Sequence, residues 1–177
     1  GRDGEKHQVR TQLIGEYNFL NALAAITIGR FFGVEAHKID EALAEYTPQN
    51  NRSQLKKTED NTLIIDAYNA NPTSMMAALQ NFRNMNAPHK MLLLGDMREL
   101  GTEAAAEHQK VADYIKENNF EKVWLVGEQF AATRHPFKTY ANVQEVIKEL
   151  ETDKPKGYTI LIKGSNSIRL STVIDYL

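Results

Sequence analysis

The sequence has 177 residues, 42% of them hydrophobic and 25% charged, and a formal net charge of -2, enough for one substantial buried core and part of a second. So small a charge supplies no basic field for nucleic acid or an anionic membrane, and no apolar run approaches the roughly 18 residues of a spanning helix. With no cysteine there is no disulfide, thiolate nucleophile or Cys-ligated zinc within it, and a soluble cytoplasmic protein, without nucleic acid or membrane insertion, is the expectation.

The chain opens on a polar stretch, GRDGEK, with no initiator Met, which reads as the start of a piece cut from a longer protein. Residues 8 to 46 read as an extended segment and two helices. In the first, Tyr17, Leu20, Ala24, Ile28 and Phe31 recur at three- and four-residue spacing and predict one apolar stripe, with Gly33 as the stop. In the second, Ile39, Ala42, Leu43 and Tyr46 form the stripe and Pro48 ends it. Two helices and one extended segment are too little for a stable core. This block is therefore expected to be the tail of a domain whose body lies elsewhere. The polar, aperiodic run Thr47 to Arg52 is the expected linker.

Beyond this linker strand and helix alternate. Predicted strands are Leu63 to Asp66, Met91 to Leu94, Val123 to Val126 and Thr159 to Ile162, with a weaker one at Phe137 to Tyr140 and an edge strand at Ser53 to Lys57. Predicted helices are Pro72 to Met85, Glu103 to Asn118, Val143 to Leu150 and Ser167 to Tyr176. Such alternation specifies an α/β domain, a mostly parallel sheet with helices on both faces.

The most informative segment is LIIDAYNANPTSM, residues 63–75. A strand with no polar face ends in Asp66, at the edge where open α/β sheets hold ligands. Tyr68, Asn69 and Asn71 follow, then Pro72, suited to the first helical position, with Asn71 as a plausible cap. Two amides, a phenol and a carboxylate within six residues point to a site; an ordinary strand-turn-helix junction is the alternative. Two further strand ends carry polar loops, GDMRELG (Gly95 to Gly101) and KGSNS (Lys163 to Ser167). In a parallel sheet all three meet on one edge. Gly95 and Gly164 would let the backbone turn or approach a ligand, and KGSNS suits an anion. The alternative for GDMRELG is a surface turn in which Asp96 serves as a cap. His108, on the stripe Ala104, His108, Val111, Ala112 and Ile115, reads as a half-buried packing residue rather than a catalyst or metal ligand. Asn18 and Asn21 lie beside the first helix's stripe, where an adenine edge would satisfy an amide, and Arg52 is a candidate phosphate or ribose contact. Neither a GxxxxGK[ST] phosphate loop nor a GxGxxG fingerprint occurs.

Taken in order, GEYNFLNALAAI, Arg52 after the linker, IIDAYNANPTSM, LLLGDMRELG with Glu103 and His108 beyond it, and LIKGSNSIRL resemble the carboxyl-terminal part of the Mur ligases, the block YNANPTSM pointing to the branch that adds D-Ala-D-Ala. The resemblance implies a UDP-sugar domain, a central P-loop ATPase domain and a carboxyl-terminal Rossmann-like domain. This sequence would hold the end of the second (residues 1–48) and all of the third (residues 49–177). It implies ATP as phosphoryl donor, with Mg²⁺ sites in the absent central region. UDP-N-acetylmuramoyl-tripeptide and D-Ala-D-Ala are the implied substrates and a monomer the implied state. The piece alone should be inactive. Carried over by residue, Asn21 would contact adenine, and Arg52 and Asp66 the ribose and phosphates. Tyr68, Asn69 and Asn71 would line the same cleft, and Lys163, Gly164 and Ser165 would lie near the dipeptide. No catalytic or metal-binding residue is assigned within this chain. One departure is Asn166, where the family commonly has Arg; Arg169 lies close by in sequence. A folylpolyglutamate synthase-like ligase, or a non-catalytic α/β module binding a nucleotide or peptide, are the competing expectations.

Overall fold

A computed structural model of the chain describes residues 6–15, 18–48 and 51–177. It divides into two compact units, Gly1–Gln49 and Asn50–Leu177. Tyr17 of the first predicted helix, and Gln49 and Asn50 of the predicted linker, lie outside the described residues.

In the first unit an irregular segment precedes helices α1 (Asn18–Phe31) and α2 (Ala36–Glu45). Gly33, at φ 76°, closes α1 as a Schellman cap: its N–H donates to the Arg30 carbonyl and the Val34 N–H to that of Gly29. The helices cross at Gly29, where an added Cβ would come within 3.1 Å of Ile39 Cδ1. The predicted apolar stripe of α1 is not buried. Leu20, Ile28 and Phe31 are exposed, as are Phe19 and Leu23, because apolar residues occupy every side of this helix and α2 covers only one. Val9, Leu13, Ala22, Ile26, Ile39 and Leu43 line an open cavity of about 480 Å³ inside the unit.

The second unit is a six-stranded sheet of β1 (Gln54–Lys57), β2 (Thr62–Asp66), β3 (Lys90–Gly95), β4 (Lys122–Val126), β5 (Lys138–Tyr140) and β6 (Thr159–Lys163). Their spatial order is β1-β2-β6-β3-β4-β5, with only β1 antiparallel to its neighbour. Helices α3 (Pro72–Asn84), α4 (Ala104–Glu117), the short α5 (Glu128–Ala131) and α6 (Val143–Thr152) join them. The connections through α3 and α4 step across the sheet one way, while α6 steps back to β6. Right-handed crossovers therefore place α6 on the face opposite α3 and α4. On the α6 face, Leu63, Ile65, Leu93, Ile160 and Ile162 pack with Val143, Val146 and Leu150. The alternate residues Ile64, Leu92 and Leu161 are also buried, so the inner strands are apolar on both sides, as covered parallel strands must be.

The helix predicted at Ser167 to Tyr176 is corrected. The segment forms 3-10 helices at Asn166–Ile168 and Leu170–Tyr176, separated by Arg169 in the left-handed region at φ 59°. Leu170 and Val173 are buried three residues apart, which is the 3-10 period. The Thr172 hydroxyl donates to the Arg169 carbonyl at 2.8 Å, a local bond that competes with a longer helix. The sequence reading also missed α5.

What holds α5 is Asp96, 1% exposed, whose Oδ2 and Oδ1 accept from the Gln129 and Phe130 N–H groups at 3.0 Å each. Asp96 thus caps, as one reading of GDMRELG expected, but from a buried position rather than a surface turn. His108 packs on the α4 stripe as expected, but is fully buried where half-burial was expected. Its Nδ1 contacts the Ala104 carbonyl at 2.7 Å and its Nε2 the Met97 N–H at 2.9 Å. A carbonyl only accepts and an N–H only donates, so the ring is the neutral Nδ1–H tautomer. Gly127, at φ 121°, passes so close to the Asp96 carboxylate that a Cβ would overlap it. Gly127→Ala should therefore cost about 2 kcal/mol or more in urea unfolding followed by Trp124, the sole and buried tryptophan. An unchanged midpoint would mean that the Asp96 cap is dispensable.

Tyr140 gives the opposite prediction. Its hydroxyl is buried without a hydrogen-bond partner among the described residues, and burial, then Glu149 and Asp153, push the phenol well up. Tyr140→Phe removes a desolvated group with nothing to lose, so stability should hold or rise by about 1 kcal/mol. A loss of that size in the same unfolding measurement would reveal a bound partner.

Candidate functional site

Because β2, β6 and β3 are parallel neighbours, the loops after Asp66, Lys163 and Gly95 emerge along one edge, with the β6 loop in the middle. Asp66 and Lys163 are register partners at the last rung of the β2–β6 ladder. Lys163 is 1% exposed, and its ammonium donates to Asp66 Oδ2 at 2.6 Å and to the Asn69 carbonyl at 3.2 Å. A cation so deeply buried is tolerable only with a counter-ion and further acceptors, and this pair supplies both. Asp66 keeps 17% side-chain exposure and a second oxygen that can accept from a ligand hydroxyl.

The next two residues are also turned inward. The Ser165 N–H donates to the Asp96 carbonyl at 3.1 Å, and its hydroxyl accepts from the Arg98 N–H at 2.9 Å. Gly164 packs against Gly95: a Cβ on it would lie 2.9 Å from Gly95 Cα, so here glycine serves the close pass of two strand ends. Lys163, Gly164 and Ser165 were expected to line a substrate loop; all three are buried, because β6 is an inner strand with a neighbour on each side. The exposed members of KGSNS and its continuation are Asn166, Ser167 and Arg169.

On the β2 side the loop remains open. Asn71 caps α3, its Oδ1 accepting from the Ser74 N–H at 2.8 Å while its own N–H donates to Ser74 Oγ at 3.2 Å. The Asn69 side-chain oxygen accepts from the Ala70 N–H at 2.8 Å. Both side chains are exposed, and each retains an Nδ2 group that a ligand could use. Tyr68 is 47% exposed, and the Arg52 guanidinium lies over its ring, 3.9 Å from the centroid. Sequence reasoning did not foresee this stack. Arg52, Asp66, Tyr68, Asn69 and Asn71 thus share one loop region of the second unit.

Asn21 belongs to the first unit. Its Nδ2 donates to Asn18 Oδ1 at 2.9 Å, and Asn18 Nδ2 donates to the Ile14 carbonyl at 2.7 Å. Asn18 orients Asn21 and leaves the Asn21 oxygen available as an acceptor. Among the described residues no three His, Asp or Glu side chains lie close enough to hold a metal ion. No helix among them is long and apolar enough to cross a membrane.

The family described as "Mur ligase, glutamate ligase domain" matches residues 51–166. The UDP-N-acetylmuramoyl-tripeptide--D-alanyl-D-alanine ligase of Bacillus subtilis (strain 168) is 32% identical over 176 residues, covering 93% of this chain and 38% of that protein. Among solved structures, MurF from Acinetobacter baumannii superposes with a TM-score of 0.79 at 26% identity, over 94% of this chain and 39% of that one. MurF ligase from Thermotoga maritima in complex with ADP gives 0.78 at 19% identity, over 93% and 38%, a likeness of fold. The chain therefore spans less than two fifths of the length of these relatives. On the match across most of the second unit, the chain belongs to the Mur ligase family.

Proposed function

We propose that this chain is the carboxyl-terminal part of an ATP-dependent ligase that joins D-Ala-D-Ala to UDP-N-acetylmuramoyl-tripeptide during peptidoglycan precursor synthesis. The observation that carries this reading is the reach of the likeness: the 32% identity to the D-Ala-D-Ala ligase runs over 93% of the chain, through both units. A free-standing α/β binding module would have no use for the first unit. In the proposed arrangement residues 1–48 end the central domain, and the exposed Phe19, Leu20, Ile28 and Phe31 are the surface that the rest of that domain covers. Residues 49–177 form the third domain.

In the reaction, a carboxylate oxygen of the tripeptide attacks the γ-phosphorus of ATP, giving an acyl phosphate and ADP. The amine of D-Ala-D-Ala then attacks the acyl carbon. Phosphate leaves, the amine loses its proton and a peptide bond forms. The phosphate loop and the Mg²⁺ sites are assigned to the region outside this sequence. Within it, Asn21 is positioned by Asn18 to meet adenine, the free oxygen of Asp66 suits ribose hydroxyls, and Arg52 suits phosphate. Asn69 and Asn71 offer their Nδ2 groups from the same loop. Lys163 serves this site as the counter-ion of Asp66. An acyl phosphate hydrolyses in water, so the third domain acts as a lid that brings its contacts in as it closes.

Phosphate release by the full-length protein with ATP and UDP-muramoyl-tripeptide should depend on D-Ala-D-Ala, and the 177-residue chain alone should release none. Release only with glutamate and a folate acceptor would move the protein to the folylpolyglutamate synthase side of the superfamily. ATP turnover by the isolated chain would overturn the assignment of the phosphate loop to another region. In the full-length protein, Asp66→Asn should raise the ATP KM about tenfold or more, the value of a hydrogen bond to a charged group. A parallel urea unfolding curve of the same variant separates that effect from the loss of Lys163's counter-ion; unchanged ATP kinetics would remove Asp66 from the nucleotide site.

A further inference from the structure

The Arg52–Tyr68 stack has a feature that an ion pair would lack. A guanidinium carries its five N–H donors in its plane, so a carboxylate partner consumes the edge that recognises phosphate, whereas an aromatic ring engages only the face. Among the described residues no carboxylate pairs with Arg52; the Tyr68 ring, 3.9 Å from its guanidinium carbon, is what holds it. The ladder brings the two together. Gln54 pairs with Ile65 at the end of that ladder, so Arg52, two residues before Gln54, and Tyr68, three residues beyond Ile65, leave the same end of the strand pair. An Arg side chain left unheld has many rotamers to lose on binding, and the ring removes part of that cost before the anion arrives.

We propose that Tyr68 is a positioning residue, whose ring holds Arg52 by its face so that the N–H edge stays open to the phosphates of a nucleotide. The inference rests on the reading above in which Arg52 is a nucleotide contact. It assigns the aromatic ring of Tyr68, rather than its hydroxyl, to the site. The ring is 47% exposed, so its removal leaves the core intact.

The test uses the full-length protein with Arg52→Ala, Tyr68→Phe, Tyr68→Leu and the Arg52→Ala/Tyr68→Leu double variant, each assayed for the KM of ATP and of D-Ala-D-Ala. Tyr68→Leu should raise the ATP KM about two- to fivefold, the size of an exposed cation–π contact. The dipeptide KM should not move, Tyr68→Phe should behave as the parent, and Tyr68→Leu should add nothing once Arg52 is gone. A Phe variant as impaired as the Leu variant, a rise in the dipeptide KM instead, or a full additional penalty in the double variant would overturn the proposal. So would a raised ATP KM in Arg52→Ala beside an unaffected Tyr68→Leu, and this leaves the nucleotide role of Arg52 standing. An unchanged ATP KM in Arg52→Ala removes that role and the positioning role together.

Discussion

A buried ammonium cannot be left without a counter-ion, and the carboxyl edge of this sheet is organised around that requirement. Lys163 ends an inner strand, so its side chain has no route to solvent and must be neutralised in place. Asp66 does this from the adjacent strand, and the Asn69 carbonyl completes the shell, which fixes the β2 loop to the end of β6. The next two residues fix the other side: Gly164 lets the ends of β6 and β3 touch, and Ser165 bonds the backbone of Asp96 and Arg98. Three consecutive residues therefore clamp loops that lie far apart in sequence. What remains exposed at the edge, namely one oxygen of Asp66, the amides of Asn69 and Asn71 and the guanidinium of Arg52, is held by groups that are themselves held.

That division explains how much was legible beforehand. The alternation of apolar runs and periodic segments gave the α/β class and its strands to within a residue or two, because covered parallel strands must be apolar on both faces and leave a plain signature. The polar loops on one edge followed from parallel strands alone. The Asn71 cap, the Asp96 cap and the packing role of His108 were each visible as local chemistry, though not the full burial of His108. Partnership across the chain was not. Lys163 and Asp66 are 97 residues apart, and nothing local distinguishes a buried lysine at a strand end from a solvated one in a basic turn. The Arg52–Tyr68 stack was hidden for the same reason, since it joins residues from two separate segments that leave the same end of the β1–β2 pair. At the carboxyl terminus a helical spacing was inferred where a three-residue period and a left-handed Arg169 prevail.

The first helix shows a different limit. Periodicity assigns an apolar stripe to a helix on the assumption that one face meets the core. In α1 the apolar residues surround the axis, so no single stripe describes it and the one chosen is exposed. Such a helix offers apolar surface on sides that α2 does not cover, and periodicity alone cannot say which of them is turned inward.

The strand order also governs how the second unit can be assembled. β6 is the last strand of the sequence, yet it lies between β2 and β3, which share no hydrogen bonds with each other. Until residues 159–163 are in place, the earlier strands can form only a β1–β2 hairpin and a separate β3–β4–β5 ribbon. During synthesis the amino-terminal strands must therefore wait with open edges, a condition that slows folding and invites mispairing. Insertion of β6 joins the two ribbons, and the same event brings Lys163 to Asp66. The sheet is thus completed, and the buried ammonium given its counter-ion, in one step.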